Sequence, residues 1–175
     1  MTRQRRKTRQ VRAGTLAIGG EAPVSIQTMA TVPIERTDEA IAQVRGLADA
    51  GAELVRVALR SGEAAEHLRK LVLSVAVPVC ADIHFDHRIA LAAIRAGVHK
   101  VRINPGNIGD PKGVREVVAA ARDRGVPIRI GVNSGSVDRR RFPEVTPESL
   151  VASAMEHVVI LEENNFTDIV VSIKA

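Results

Sequence analysis

Apolar residues along this chain fall into two alternating kinds of segment: short continuous runs, and longer stretches in which they recur every three or four positions. The first pattern marks strands buried on both faces, and the second marks amphipathic helices packed on them. The runs predict strands at 23–29, 54–59, 77–83, 100–104, 127–133 and 169–174, and the periodic stretches predict helices near 38–50, 62–74, 87–96, 112–124 and 147–164. Thr37, Asp86, Asp110 and Thr146 stand at or just before helix starts, where short polar side chains cap free backbone N–H groups. Gly51, Gly97 and Gly125 punctuate three similar helix-to-strand joints. Residues 10–20 alternate weakly and end in two glycines, which predicts a short hairpin closing the bottom of the sheet.

Regular repetition of strand and helix calls for a parallel sheet. No glycine-rich dinucleotide fingerprint follows the first strand, which favours a barrel over a doubly wound sheet. The expected fold is therefore α/β, an incomplete (β/α) barrel of the TIM type with about six βα units and a short N-terminal hairpin. Residues 1–22 form a basic arm and the hairpin, and 23–175 form the partial barrel. A closed barrel has eight strands, so six leave two sheet edges unpaired, as expected for part of a larger protein.

Composition narrows the function. At 175 residues and 45% apolar, the chain can bury one substantial core. Aromatic residues make up only 2%, without Trp or Tyr, so there are few platforms for stacking nucleic-acid bases. The net charge of +5 is concentrated in the first nine residues, which read as a solvated arm rather than a nucleic-acid or membrane contact. No apolar stretch is suited to export or to spanning a bilayer, and a cytoplasmic location is expected. The single cysteine, Cys80, excludes an internal disulfide and a multi-cysteine metal site built by this chain alone. It lies inside a predicted buried strand, as a core residue would.

The chemistry gathers where strands run out into loops, in Asp82-Ile83-His84-Phe85-Asp86, Arg102-Ile103-Asn104-Pro105-Gly106-Asn107 and Arg129-Ile130-Gly131-Val132-Asn133-Ser134-Gly135-Ser136. Side chains alternate along a strand, so Arg102 shares a face with Asn104, Arg129 with Asn133, Asp82 with His84, and Ser172 with Lys174. If these faces and that of Arg56 point into the barrel mouth, Arg56, Arg102, Arg129 and Lys174 converge on one small volume. One acid, Asp82, shares these strand ends, and the excess positive charge asks for an anion; guanidinium groups match phosphate oxygens with paired donors. Asp82 and His84 are the candidate catalytic pair, with Asp82 orienting an imidazole that acts as a general acid, as a ligand or as a structural group. Asn104 and Asn133 could bind hydroxyl or phosphate oxygens or form turns. Gly135, between serines, could offer its N–H to a phosphate. No metal ligands are assigned.

These blocks, together with Ile26-Gln27-Thr28-Met29, Val55-Arg56-Val57 and Val171-Ser172-Ile173-Lys174, resemble the amino-terminal barrel of the bacterial 4-hydroxy-3-methylbut-2-enyl diphosphate synthase family. The resemblance runs through essentially the whole chain, with Thr28 where the family usually has Ser. It implies an oxidoreductase of isoprenoid (terpenoid) biosynthesis by the methylerythritol phosphate route, which reductively opens 2-C-methyl-D-erythritol 2,4-cyclodiphosphate to 4-hydroxy-3-methylbut-2-enyl diphosphate. By position, Arg56, Arg102, Asn104, Arg129, Asn133 and Lys174 would bind this substrate, with Asp82 and His84 lining the same mouth. The family also implies a [4Fe-4S] cluster, ferredoxin or flavodoxin as electron donor, and a homodimer when full length. The cysteines that hold the cluster belong to a second, C-terminal domain with no counterpart in these residues, and Cys80 matches none of them. A truncated non-catalytic fragment, or a related pterin- or phosphate-binding barrel, is the alternative reading.

Overall fold

A computed structural model describes residues 7–84, 86–104 and 110–174. Part of the basic arm, Phe85, Pro105, Gly106 and Asn107 from the sequence blocks therefore lie outside the described residues. A two-stranded antiparallel hairpin, β1 (Val11–Ala13) and β2 (Leu16–Ile18), precedes six parallel strands: β3 (Gln27–Met29), β4 (Leu54–Ala58), β5 (Val79–Asp82), β6 (Lys100–Ile103), β7 (Ile128–Asn133) and β8 (Ile169–Lys174). Helices α1 (Thr37–Asp49), α2 (Ala65–Ser74), α3 (His87–Arg95), α4 (Pro111–Asp123) and α5 (Pro147–Glu163) connect successive parallel strands. The parallel strands are ordered as in the sequence, making a curled, incomplete TIM-type barrel with β3 and β8 at its ends.

Alternation within each strand divides the side chains into two sets. Val55, Val57, Val79, Ala81, Val101, Ile103, Ile128, Ile130 and Val132 are buried and pack with helix residues such as Ala90, Ile94, Val117 and Leu161. Burial worth roughly 25 cal/mol per Å² of apolar surface makes this sheet–helix layer the main source of stability. The opposite set includes Arg56, Cys80, Lys100, Arg102, Arg129 and Ser172, with Arg56 paired in register to Cys80, Cys80 to Lys100, and Asp82 to Arg102. Charged residues within buried strands are thus confined to the barrel interior.

Helix starts follow the expected capping at three places. Asp86 accepts from the Arg88 N–H, Asp110 accepts from Gly113, and Thr146 and Ser149 form a reciprocal capping box. Thr37 departs from expectation: it is the first residue of α1, and its hydroxyl lies 2.6 Å from His67 Nδ1 and donates to the Ile34 carbonyl, so it is not a cap. Gly51, Gly97 and Gly125 adopt φ of 101°, 92° and 61°, the left-handed geometry that turns a helix exit into the next strand. The first parallel strand is shorter than its apolar run. Pairing begins at Gln27, because Pro23 has no N–H to donate and Val24 is 81% exposed.

The hairpin sits at the amino-terminal end of the barrel strands, where Gly14 approaches His99; a Cβ on residue 14 would lie 2.6 Å from the imidazole Cδ2. His99 Nδ1 accepts from the Val79 N–H at 3.0 Å, which ties this end of β5 and β6 together. The opposite end is left to the loops that follow the strands.

Candidate functional site

At the carboxyl ends of the strands lies a cavity of about 250 Å³ lined by Arg56, Asp82, His84, Arg102, Arg129, Gly131, Val132, Asn133, Ser172 and Lys174. Strand phase explains this gathering. The residues come from β4 to β8, with His84 two residues past the end of β5, and the strand residues occupy interior positions, Val132 excepted, while their neighbours in sequence face the helices.

Asp82 organises the cationic side chains. It is 3% exposed, with Oδ1 3.2 Å from Arg102 Nη1 and Oδ2 3.3 Å from Arg56 Nε. The Arg56 contact has ion-pair distance without hydrogen-bond alignment, and Nε is buried without a directed partner among the described residues. His84 Nε2 lies 3.6 Å from Asp82 Oδ1, so the carboxylate reaches both guanidinium groups and the imidazole. Arg102 also donates to the Gly131 carbonyl at 2.9 Å, and Arg129 donates to Ser172 Oγ at 2.7 Å. Burial, followed by repulsion from Arg56, pushes Arg129 below the ordinary arginine value. Three guanidinium groups and an ammonium thus share the cavity with one carboxylate. Their remaining N–H donors suit an anion with several oxygens.

Seven of the eight residues expected from the sequence line this cavity: Arg56, Asp82, His84, Arg102, Arg129, Asn133 and Lys174. Asn104 does not. It follows β6 at 6% exposure, and its Oδ1 is buried without a hydrogen-bond partner among the described residues. Asn133 combines two roles, because its Oδ1 accepts from the Gly135 N–H at 2.9 Å while the residue lines the cavity. That bond also corrects the expectation for Gly135, whose N–H is engaged within the turn. Ser172 was legible only as a neighbour of Lys174; its contact with Arg129 requires the β7–β8 register. Lys100 and Gln27 were missed. They lie beneath the cavity, with Lys100 Nζ donating to Gln27 Oε1 at 2.9 Å, and the available signal was a lysine within a buried strand two residues before Arg102.

The residues do not fit an iron–sulfur cluster. Among the described residues no group of three or more His, Cys, Asp or Glu side chains could hold a metal ion. Cys80 is buried, and desolvation pushes its thiol up to about 11, opposite to the ionisation a thiolate ligand needs. Among the described residues, no helix is long and apolar enough to cross a membrane.

The fold and the site define a parallel α/β barrel segment with a cationic mouth. Residues 8–175 match the GcpE TIM-barrel domain, and the chain belongs to that family. It is 49% identical over 175 residues to 4-hydroxy-3-methylbut-2-en-1-yl diphosphate synthase (flavodoxin) of Acidithiobacillus ferrooxidans, covering 98% of this chain and 48% of the relative. The synthase of the same name from Magnetococcus marinus is 48% identical over 174 residues, covering 98% and 47%. The chain therefore spans about half the length of these curated relatives. Among solved structures, Yersinia pestis dihydropteroate synthase aligns with a TM-score of 0.69 at 14% identity, covering 93% of this chain and 61% of that one, a likeness of fold.

Proposed function

We propose that this chain is the substrate-binding barrel of a synthase that reductively converts 2-C-methyl-D-erythritol 2,4-cyclodiphosphate to 4-hydroxy-3-methylbut-2-enyl diphosphate. The observation that carries this reading is the charge imbalance of the cavity, in which Arg56, Arg102, Arg129 and Lys174 face the single carboxylate of Asp82. A cyclic diphosphate supplies the negative charge and acceptor oxygens that such donors match. The names of the relatives support the same chemistry and a flavodoxin electron donor; ferredoxin would serve the same role.

In this reading Arg56, Arg102, Arg129 and Lys174 hold the diphosphate, and Asn133 offers its amide NH2 while its oxygen secures the turn. Asp82 fixes the directions of Arg56 and Arg102 and holds His84 where the imidazole can give a proton to a departing oxygen. Asn104, just after the carboxyl end of β6, is buried outside the lining of the cavity. A [4Fe-4S] cluster would be held by residues outside this set, in the part of the longer relatives that these residues do not span. The full-length protein would act as a homodimer in the cytoplasm.

Calorimetric titration of this chain with the cyclic diphosphate tests the reading. Arg102→Ala and Arg129→Ala should each weaken binding about ten- to a hundredfold, the effect of removing one charged hydrogen-bond partner. Unchanged affinity in both variants would overturn it.

A further inference from the structure

Beneath the cavity lies a charge that the proposed chemistry does not use. Lys100 is on β6, two residues before Arg102, and is 3% exposed. Its ammonium donates to Gln27 Oε1 at 2.9 Å; Gln27 belongs to β3, three strands away, so the bond crosses the barrel interior. Among the described residues no carboxylate lies within ion-pair distance of Lys100. Asp82, the acid of the cavity, pairs instead with Arg56 and Arg102.

The groups facing Lys100 make its charge costly. Arg129 from β7 and Arg56 from β4 repel it, and Cys80 from β5 remains a neutral thiol because burial pushes it up to about 11. Desolvation and these cations bring the ammonium down to about 8. A neutral amide satisfies one donor without balancing the charge, and an unbalanced buried cation is a large penalty in a barrel core. An anion in the cavity immediately above would supply the balance.

We propose that Lys100 is a positioning residue of the anion site, a cation beneath the arginine layer whose protonation is coupled to anion binding. The proposal rests on the anion-binding reading of the cavity. Because linkage is reciprocal, a protonated Lys100 strengthens anion binding and a bound anion draws a proton onto Nζ. The site therefore gains a charge on occupation without exposing that charge to solvent.

Inorganic sulfate is a suitable probe, because its charge stays constant through neutral and alkaline pH. Calorimetry at about pH 8.5, in two buffers of different ionisation enthalpy, should show proton uptake on sulfate binding by the wild-type chain, and Lys100→Met should abolish most of that uptake. Wild-type affinity should fall about five- to tenfold more than that of Lys100→Met between about pH 7 and pH 9.5. Should Lys100→Met fail to fold, Gln27→Met decides. Losing the amide acceptor disfavours the ammonium, so the fall in affinity should begin at lower pH. Equal uptake and parallel pH profiles for wild type and Lys100→Met, or an unmoved profile in Gln27→Met, would overturn the role of Lys100. Absence of sulfate binding to the wild-type chain at pH 7 would instead overturn the anion site itself.

Discussion

Arg102 is held against Gly131, donating from Nη2 to its carbonyl at 2.9 Å, and a Cβ on residue 131 would stand 2.6 Å from Arg102 Nε. The glycine is therefore a spatial requirement of the guanidinium on the neighbouring strand. Gly131→Ala should preserve the fold, since the backbone φ at this position is not in the left-handed region, while displacing Arg102 from Asp82. We expect diphosphate affinity to fall about tenfold with little change in melting temperature, measured by calorimetry and thermal unfolding.

The sequence made the repeated βα units legible because buried parallel strands and amphipathic helices carry different periods. It also made the cationic mouth legible, because arginines at one phase of apolar strands have few other places to go. Register was not legible. The contacts of Arg129 with Ser172 and of Arg102 with Gly131 depend on how β6, β7 and β8 align, and apolar runs alone do not fix that alignment. The Lys100 contact was not legible for a related reason: Gln27 is close only because the sheet curls, bringing β3 opposite β6. Thr37 satisfies the sequence rule for a cap equally well although its hydroxyl turns toward Ile34 and His67.

The Arg129–Ser172 contact divides charge from orientation. Arg129→Ala removes the donor itself, whereas Ser172→Ala leaves the guanidinium in place without its 2.7 Å acceptor. Ser172→Ala should therefore weaken diphosphate binding only a few-fold, against about ten- to a hundredfold for Arg129→Ala, and the double variant should resemble Arg129→Ala alone. Strict additivity in a double-mutant cycle would show that Ser172 does not act through Arg129.

Two half-buried or buried imidazoles predict acid sensitivity. Burial lowers His99 and His157 below the ordinary value of 6.5, so the unfolded chain takes up their protons first as pH falls. Their contribution to stability is present above 6.5 and is lost as pH falls from there through their lower folded values. Chemical unfolding across this window should show a declining free energy, and His157→Gln should make the decline shallower. An identical slope in that variant would remove His157 from the account.

The β8 end of the sheet predicts self-association. Val171 and Ile173 on β8 are 47% and 44% exposed, while Val151, Met155 and Val159, spaced by four on α5, are 50%, 48% and 43% exposed. An apolar edge strand beside an apolar helix stripe is a ready surface for another chain. Sedimentation of the 175-residue chain should show concentration-dependent oligomers, and the pair Val171→Lys and Ile173→Lys should shift it toward monomer. A monomeric wild-type chain at high concentration would contradict this expectation.

Lys100 also predicts a stability profile that rises in alkali, opposite to the usual expectation for a lysine held by an acid. Its folded value is near 8 against 10.5 in an exposed chain, so between these values the unfolded state binds more protons than the folded state. Stability contributed by this group therefore increases with pH across that window, and the burden of the buried ammonium is fully present below it. Lys100→Met should consequently raise the melting temperature at neutral pH and flatten the alkaline rise, even as it weakens anion binding. Unfolding from neutral pH to about pH 10.5 measures both effects. A variant no more stable than the wild type at neutral pH would mean that Gln27 and the surrounding interior already compensate the charge.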